Sequence, residues 1–187
     1  MTSQEFHYEL KIPKARIAVL IGKKGEVKKR IESATKTRIS IDSNEGDVFV
    51  SGNDALGLFT AREVIEAISR GFNPEFAELL LKGDHSLEII GIKDYAGKSQ
   101  DTALRLKGRV IGKEGKSRRT LEYLSDTNIS VYGKTIGIIG TPENVTEARK
   151  AIEALLRGAP HGNVYKSLER RRVEIRKKEL VGGESIG

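Results

Sequence analysis

One short motif occurs twice in this chain, and the repeat restricts the possible folds more than any other feature. VLIGKKGEVKKRI at 19–31 returns as VIGKEGKSRRTL at 110–121. Over the 21 aligned residues that begin at Ile21 and Ile111, eight are identical at a separation of 90. AREVIEAISRG also returns 87 residues later as ARKAIEALLRG, with seven of 11 positions identical. Self-similarity of this length indicates duplicated structural units, so we predict two small modules in tandem.

Each module has the element order β-α-α-β-β-α. In module one, the alternation in FHYELKIP predicts a strand, and ARIAVLIG predicts a short helix that ends at Gly22. EVKKRIESATKT places Val27, Ile31 and Ala34 on one helical face. RISI and DVFVSG are strands joined by a turn, and Asp54 is placed to cap the last helix. Three strands covered by three helices bury enough apolar surface to fold independently.

The predicted fold class is α+β, with a three-stranded antiparallel sheet and helices on one face in each module. Module two starts with the strand SLEIIGIKDY, and either Ser99 or Asp101 caps its first helix. Thr141 and Pro142 begin its last helix, and Asn73 begins a short packed helix between the modules. The predicted domains are module one at 1–72, the linker helix at 73–85, module two at 86–160, a basic C-terminal helix at 161–181 and a flexible tail at 182–187.

The repeated turn has the chemistry of an anion site. Two glycines three residues apart, Gly22 and Gly25 or Gly112 and Gly115, join two helices in each module. Unpaired N–H groups at the start of the second helix favour an anion, and a bare glycine backbone lets a nucleic-acid backbone come close. Neither copy matches G-x-G-x-x-G or G-x-x-x-x-G-K-[ST]. The turn therefore predicts a phosphate-backbone contact and no nucleotide cofactor.

The charge supports a polyanionic partner and places it mainly on module two. The chain has a net charge of +7, because residues 105–187 carry +8 and residues 1–104 carry −1. An excess of basic residues is typical of proteins that bind nucleic acid. The absence of cysteine excludes disulfides, thiolate zinc sites and cysteine nucleophiles, and fits a reducing cytoplasm. Because no apolar run is long enough for a membrane span and MTSQEFHYEL lacks a signal-peptide pattern, we expect a cytoplasmic protein.

These residues resemble those of KH domains of the eukaryotic-type (type I) topology. The resemblance is carried by I-G-K-K-G and I-G-K-E-G, each followed by a helix and then by R-I-S-I or N-I-S-V. In KH domains the G-x-x-G loop clamps the backbone of single-stranded nucleic acid, and the bases lie on an apolar floor. That resemblance places the floor at Ile21, Val27, Ile31, Ile39 and Ile41 in module one, and at Ile111, Leu121, Ile129 and Val131 in module two. Among these, Ile39 and Ile129, or near neighbours, are expected to be partly exposed.

The RNA contacts predicted on this basis lie in both modules, with module two dominant. In module one they are Ile21, Gly22, Lys23, Lys24, Gly25, Lys28, Lys29 and Ile39. In module two they are Arg109, Ile111, Gly112, Lys113, Glu114, Gly115, Lys116, Arg118, Arg119 and Ile129. Glu114 weakens the positive charge locally, and Arg118 and Arg119 offset it.

A third basic segment follows module two. Seven Lys or Arg and two Glu lie between Lys166 and Lys178. With Asn163 as its cap, this helix can pack Val164 and Leu168 on module two and turn basic residues to a phosphate backbone. The exposed basic residues predicted to contact RNA are Lys166, Arg170, Arg172 and Arg176.

Tandem KH modules followed by H-G-N-V-Y-K-S-L-E-R-R-R resemble the archaeal and eukaryotic small-subunit ribosome assembly factors of the partner-of-Nob type. The resemblance implies a monomer that binds 16S-type rRNA or its precursor near the 3′ end. It also implies partners among ribosome-maturation factors, namely an endonuclease and an rRNA dimethylase. Eukaryotic members are expected to lack a good G-x-x-G in module one, so whether this module binds RNA or protein stays open.

Other classes of function remain as alternatives. The chain could be a KH-fold scaffold for protein interactions, or an RNA-binding factor in translation or mRNA decay. A metal-dependent nuclease would need clustered carboxylates, and only Asp42, Glu45 and Asp47 come close, on a turn where such residues are common turn formers. The three histidines are scattered. We therefore predict no catalytic residue, no metal site and no enzyme activity.

Overall fold

Two three-stranded antiparallel sheets, each covered by helices, make up the computed structural model, which describes residues 5–182. They belong to two compact units, one up to Leu87 and the other from Glu88 onward. Unit one contains β1 (Phe6–Lys11), α1 (Lys14–Ile21), α2 (Glu26–Thr35), β2 (Arg38–Asp42), β3 (Asp47–Gly52), α3 (Ala55–Ser69) and α4 (Pro74–Ala77). The division falls within β4 (Ser86–Gly91), whose sheet belongs to unit two. Unit two also contains α5 (Lys93–Ala96), α6 (Gln100–Ile111), α7 (Lys116–Ser125), β5 (Asn128–Tyr132), β6 (Thr135–Gly140), α8 (Pro142–Leu156) and α9 (His161–Gly182).

The two sheets have the same strand order, β1-β3-β2 and β4-β6-β5, so the last strand of each module is central. In unit one, β3 alternates between Val48 and Val50, which face the helices and are buried, and Phe49, which is exposed. This alternation is typical of a sheet with one covered face. The predicted α+β fold with two tandem β-α-α-β-β-α modules is confirmed.

Several residues that are identical in the two repeats connect a helix to the strand that follows it. Glu32 on α2 accepts a hydrogen bond from the N–H of Ile39 at 2.7 Å, and Glu122 on α7 accepts one from the N–H of Ile129 at 2.8 Å. The hydroxyl of Thr37 is also bonded to that of Thr35, and the pair is repeated 90 residues later as Ser125 and Thr127. Buried polar groups need such partners, which explains why these positions recur.

In each unit an arginine on the first long helix binds the carbonyls at the end of the helix that follows the sheet, α3 in unit one and α8 in unit two. Arg16 on α1 donates through Nε to the carbonyl of Ile68 at 2.8 Å and through Nη2 to that of Phe72 at 2.6 Å. Arg109 on α6 donates in the same way to the carbonyls of Leu155 and Ala159. These lie 87 residues after Ile68 and Phe72. Because Arg16 lies five residues before the end of its helix and Arg109 only two, different helical positions supply the same cap.

Each module also has a further helical segment beyond its sixth element. In unit one this is α4 and the 3-10 turn Glu78–Lys82, where Glu78 forms a salt bridge of 2.8 Å with Arg30 on α2. The hydrogen bond and charge of Glu78 raise the pKa of Arg30. In unit two the segment is the long helix α9, which is buried at Val164 and Leu168 within the core.

The cap of α9 differs from the prediction, although the helix begins at the predicted residue. The helix begins at His161, two residues before Asn163, whose own N–H donates to the carbonyl of Pro160 at 3.1 Å. Asn163 is therefore inside the helix, and its prediction as the cap is wrong. α9 ends at Gly182, and the remainder of the tail predicted at 182–187 lies outside the described residues.

Candidate nucleic-acid interface

The two glycine turns have the same backbone conformation. We call Gly22–Gly25 corner one and Gly112–Gly115 corner two. The first glycine of each has φ of 73° or 72° with ψ of 175°, and the last has φ of 78° or 76°. Between them, Lys24 and Glu114 have φ of 53° and 52°, in the left-handed region that side chains rarely adopt. The same strained turn is thus formed twice by different residues.

The first glycine of each corner is required by close packing. A Cβ on Gly22 would lie 2.5 Å from Val27 Cγ2 and 2.8 Å from the Val27 nitrogen. A Cβ on Gly112 would lie 2.7 Å from both the Cβ and the nitrogen of Ser117. A Cβ on Gly115 would have only the end of a flexible arginine side chain within 3.4 Å. The last glycine is therefore needed for its positive φ rather than for space.

Each corner presents the start of a helix that no side chain of the described residues caps. Neither α2 nor α7 has a side-chain hydrogen bond at its N-cap, which is a left-handed glycine in both. In each corner the N–H of the last glycine bonds to the carbonyl of the first at 3.2 Å, which closes the turn. The N–H of the next residue, Glu26 or Lys116, bonds to the carbonyl of Lys23 or Lys113. Each corner thus lies at the positive end of a ten-residue helix, where an anion is favoured.

The charged side chains of the corners are exposed. This group comprises Lys23, Lys24 and Lys29 in module one and Lys113, Glu114, Lys116 and Arg119 in module two. Arg119 also donates to the carbonyl of Glu114 at 2.8 Å, so it stabilises the conformation of corner two. Lys28 is half-buried, 3.9 Å from Glu32. Its counterpart Arg118 donates to the carbonyl of Ile129 at 3.3 Å, which leaves it partly engaged.

The expected apolar floor needs correction. Ile39 and Ile129 are only 1% and 2% exposed, so their side chains belong to the core, and the expectation that these two are partly exposed is wrong. Ile39 lies opposite Val50 on the central strand, beneath the helices. Two residues farther along the same strand face, Ile41 and its counterpart Val131 are half-buried. They, as near neighbours, supply the accessible part of that face.

Other predicted floor residues fall into the same two groups. Ile21 and Ile111, at the ends of α1 and α6, are half-buried beside the corners. Val27, Ile31 and Leu121 are buried. The accessible apolar surface near each corner is therefore formed by the last residue of the first helix and the residue toward the end of the edge strand.

Arg109 does not present its guanidinium to a ligand. Its Nε donates to the carbonyl of Leu155 at 2.9 Å, and its Nη2 donates to that of Ala159. The structure thus assigns this predicted RNA contact a supporting role between α6 and the end of α8. A hydrogen bond across 46 residues leaves no local pattern in the sequence, which is why the motif alone suggested a contact.

Two residues of α9 brace corner two, and sequence patterns did not single them out. The Nε2 of His161 lies 2.8 Å from the carbonyl of Arg109, and since a carbonyl only accepts, the ring nitrogen donates. The hydroxyl of Tyr165 donates to Ser117 Oγ at 2.9 Å. Ser117 is the residue against which Gly112 packs. α9 therefore touches the helix before corner two and the helix after it.

The predicted phosphate contacts of α9 have unequal surroundings. Lys166, Arg170 and Arg176 are exposed. Arg172 instead lies over the ring of Tyr123, with Cζ 4.1 Å from the ring centroid, and donates to the Tyr123 carbonyl at 2.8 Å. Arg170 lines a depression that it shares with two other basic residues and three carboxylates, which offset the positive charge there: Arg171, Lys178, Glu143, Glu147 and Glu174. Lys166 and Arg176 are the better candidates for a backbone contact.

Within residues 5–182 no group of three or more His, Asp or Glu side chains is arranged to hold a metal ion. Asp42 accepts hydrogen bonds from the N–H groups of Asn44 and Glu45 at 2.9 and 3.3 Å, and Asp47 pairs with Lys11 at 3.2 Å. These carboxylates thus form a turn and an ion pair. None of the helices in the described part is both long and apolar enough to cross a membrane.

Comparison with known proteins gives matches for both modules. Residues 86–173 match the family described as the eukaryotic-type KH domain (KH domain type I). Residues 7–67 match the family described as the KH domain. A KH domain-containing protein from Methanocaldococcus jannaschii is 51% identical over 90% of this chain and 75% of its own length. The pre-rRNA-processing protein PNO1 from Coccidioides immitis is 33% identical over 77% of this chain and 57% of its own length.

A solved structure gives the same result at the level of the backbone. A chain in the crystal structure of the a/eIF2alpha–aDim2p–rRNA complex from Pyrococcus horikoshii is 46% identical and superimposes with a TM-score of 0.84. The match covers 91% of this chain and 96% of that one. The likeness thus extends over both modules.

Proposed function

This chain belongs to the KH-domain family of eukaryotic type, and we propose that it is a single-stranded RNA-binding factor of small-subunit ribosome assembly and pre-rRNA processing. Relatives are named pre-rRNA-processing proteins, and a related chain was crystallised in a complex with rRNA. The observation that carries the proposal is the duplicated corner. In both modules an uncapped helix start, a bare glycine backbone and exposed basic side chains occur together.

The role of each part follows from its geometry. The amides of corner two and Lys113 bind backbone phosphates, while Ile111 and Val131 provide the apolar surface for bases. Lys166 and Arg176 of α9 add phosphate contacts, which position the RNA and carry no sequence information. Corner one has the same backbone conformation, and with three exposed lysines it can grip a second segment of RNA. Because most of the net charge lies after residue 104, we propose that module two dominates affinity.

The finer parts of the proposal come from the family resemblance. The RNA segment is the region near the 3′ end of 16S-type rRNA or its precursor. The protein acts as a monomer in the cytoplasm without catalysis of its own, beside a maturation endonuclease and an rRNA dimethylase. A role as a protein-interaction scaffold in which the corners are only structural is the competing proposal.

The corner test uses two lysines at equivalent positions. Lys113→Asp and Lys23→Asp each change the net charge by the same amount at an exposed site, so neither should unfold its module. We expect K113D to weaken binding of a single-stranded rRNA 3′ segment by about tenfold or more, because a phosphate contact is replaced by repulsion. K23D should have a smaller effect. Binding is measured by filter retention or fluorescence anisotropy over a salt series.

Two outcomes would contradict the proposal in different ways. If K23D weakens binding more than K113D, the main site is in module one. If wild-type affinity is independent of salt, or neither substitution matters, the corners do not grip a phosphate backbone, since binding to single strands should vary with salt with a log–log slope of about −0.7 per phosphate. The scaffold would then be the better account.

A further inference from the structure

Module two contains an insertion that module one lacks. In unit one, β1 is joined to α1 by Ile12 and Pro13 alone. In unit two, β4 is joined to α6 by residues 92–99, which include the helix α5. Both connections are tied to the turn between the last two strands by the same bond. The N–H of Ile12 donates to the carbonyl of Gly46 at 2.9 Å, and the N–H of Ile92 donates to that of Lys134 at 2.9 Å. The two ends can therefore be compared position by position.

The insertion creates a basic cavity at this end of module two. The cavity has a volume of about 570 Å³. Four lysines line it, namely the first residue of α5, one that follows α5, one on α6 and one on the strand turn: Lys93, Lys98, Lys107 and Lys134. Asp101 is the single carboxylate in its lining. We refer to this site as the lysine cavity.

The charge of the lysine cavity is not neutralised by the protein itself. Elsewhere in the described chain Lys11, Lys28 and Lys150 form ion pairs with carboxylates. The lysines of the cavity have no such pair within residues 5–182. Uncompensated charge of one sign inside a cleft concentrates the field and attracts ions of opposite sign.

The equivalent end of module one has the opposite charge. Its strand turn carries Asp42, Glu45 and Asp47, and its one nearby strand lysine, Lys11, is paired with Asp47. Two copies of one module, tied at the same point by the same hydrogen bond, thus have an acidic end in one case and a basic end in the other. The basic end is a property of module two and not a requirement of the fold.

We propose that the lysine cavity is a second phosphate site, which binds the RNA backbone beyond the segment held by corner two. The inference rests on the proposed function. Lys107 lies four residues before the end of α6, a rise of about 6 Å along the helix, so a strand slightly longer than the clamped segment can reach it. Lysine ammonium groups suit phosphate as point charges, and exposed Leu104 in the lining provides apolar contact for a ribose or base.

The test compares two double variants of equal charge in the full-length chain. Lys98→Gln with Lys134→Gln removes two charges from the lysine cavity. Lys14→Gln with Lys82→Gln removes two exposed, unpaired lysines from unit one. Each protein is titrated with an RNA of about four nucleotides, the length that one KH corner clamps, and with the same RNA extended at both ends. Circular dichroism and thermal unfolding confirm that both variants are folded.

We expect K98Q/K134Q to weaken binding of the extended RNA by about tenfold at low salt and to leave the short RNA within twofold. The slope of log affinity against log salt for the extended RNA should fall by about 1.4, which is 0.7 for each lost phosphate contact. K14Q/K82Q should change neither RNA by more than a small, equal factor. A selective loss on the extended RNA supports the lysine cavity.

The inference is overturned if K98Q/K134Q and K14Q/K82Q behave alike on the extended RNA while K113D still weakens binding by about tenfold or more, because the proposed function then stands without the lysine cavity. Each protein is also titrated with polyglutamate. If K98Q/K134Q loses polyglutamate binding and keeps the wild-type affinity for RNA, the cavity binds an acidic protein and the inference is overturned. Failure of the wild-type chain to bind either RNA would instead refute the proposed function.

Discussion

At the residue scale, the two glycines of a corner are not equivalent. Gly112 packs so closely on Ser117 that a Cβ would lie 2.7 Å from its nitrogen, whereas Gly115 has room but needs φ of 76°. The first glycine therefore holds the corner against the next helix, and the second permits the turn. A double substitution of both by aspartate, which the motif alone suggests as a neutral test of binding, would disturb the fold through Gly112.

The two glycines can be separated by matched substitutions. Gly115→Ala should cost about 1 kcal/mol of unfolding free energy because alanine disfavours a positive φ. Gly112 has φ of 72° with ψ of 175°, a conformation essentially restricted to glycine, so Gly112→Ala carries a backbone penalty at least as large. It must also move the start of α7, and we therefore expect a loss larger by about 2 kcal/mol. Urea unfolding monitored by circular dichroism measures both. If both variants lose the same unfolding free energy, Ser117 and the start of α7 can shift away from the added methyl group without destabilising the fold.

At the element scale, α9 is part of the binding module as well as a basic extension. It contributes Val164 and Leu168 to the core, and through His161 and Tyr165 it contacts the residues on both sides of corner two. Unit one closes with the shorter segment of α4 and the Glu78–Lys82 turn. The two modules therefore share a corner but support it with different elements.

The brace can be tested without changing charge. Tyr165→Phe removes only the hydroxyl that bonds to Ser117. We expect a stability loss of about 1 kcal/mol and a several-fold loss of RNA affinity with an unchanged salt slope, since no phosphate contact is lost. Tyr123→Phe is the matched control, because the Tyr123 side chain is exposed and its ring remains for Arg172 to cover. If both variants bind RNA like the wild type, α9 does not position the corner.

Elements that depend on local patterns were predictable from the sequence, and those that depend on distant contacts were not. Asp54 and Ser99 cap their helices through side-chain oxygens, as expected, while Thr141 makes no side-chain cap bond. The predicted strand SLEIIGIKDY ends at Gly91 and continues as α5, because the apolar alternation breaks off there. The carbonyls that hold Arg109 lie 46 and 50 residues away, and no periodicity reports such a contact.

At the scale of the whole molecule, two units with separate cores should unfold separately where one is damaged. A chain that ends at Gly158 lacks α9, and the loss of Val164 and Leu168 alone removes about 3–6 kcal/mol of burial. Since that approaches the total stability of a small domain, we expect unit two to unfold and unit one to remain folded. A chain that ends at Ile175 loses Arg176 and the residues after it but keeps both buried side chains.

Denaturant unfolding and RNA binding together distinguish these truncations. The Gly158 truncation should show a single transition from unit one and no high-affinity RNA binding. The Ile175 truncation should keep the wild-type unfolding curve and lose affinity for all RNA sequences alike, because cations on phosphates position rather than specify. A selective loss for one sequence would show that the end of α9 reads bases.

The position of α9 along the chain affects the order in which the two grips form during synthesis. Residues 74–82, which close unit one, leave the ribosome before any of module two, so the nascent chain can fold its first module early. Corner two receives His161 and Tyr165 only after α8 has been made. At translation rates of about 5–20 residues per second, the 50 residues from Gly115 to Tyr165 delay that final step by roughly 2.5–10 seconds. A half-made chain therefore offers a finished first corner and an unbraced second one.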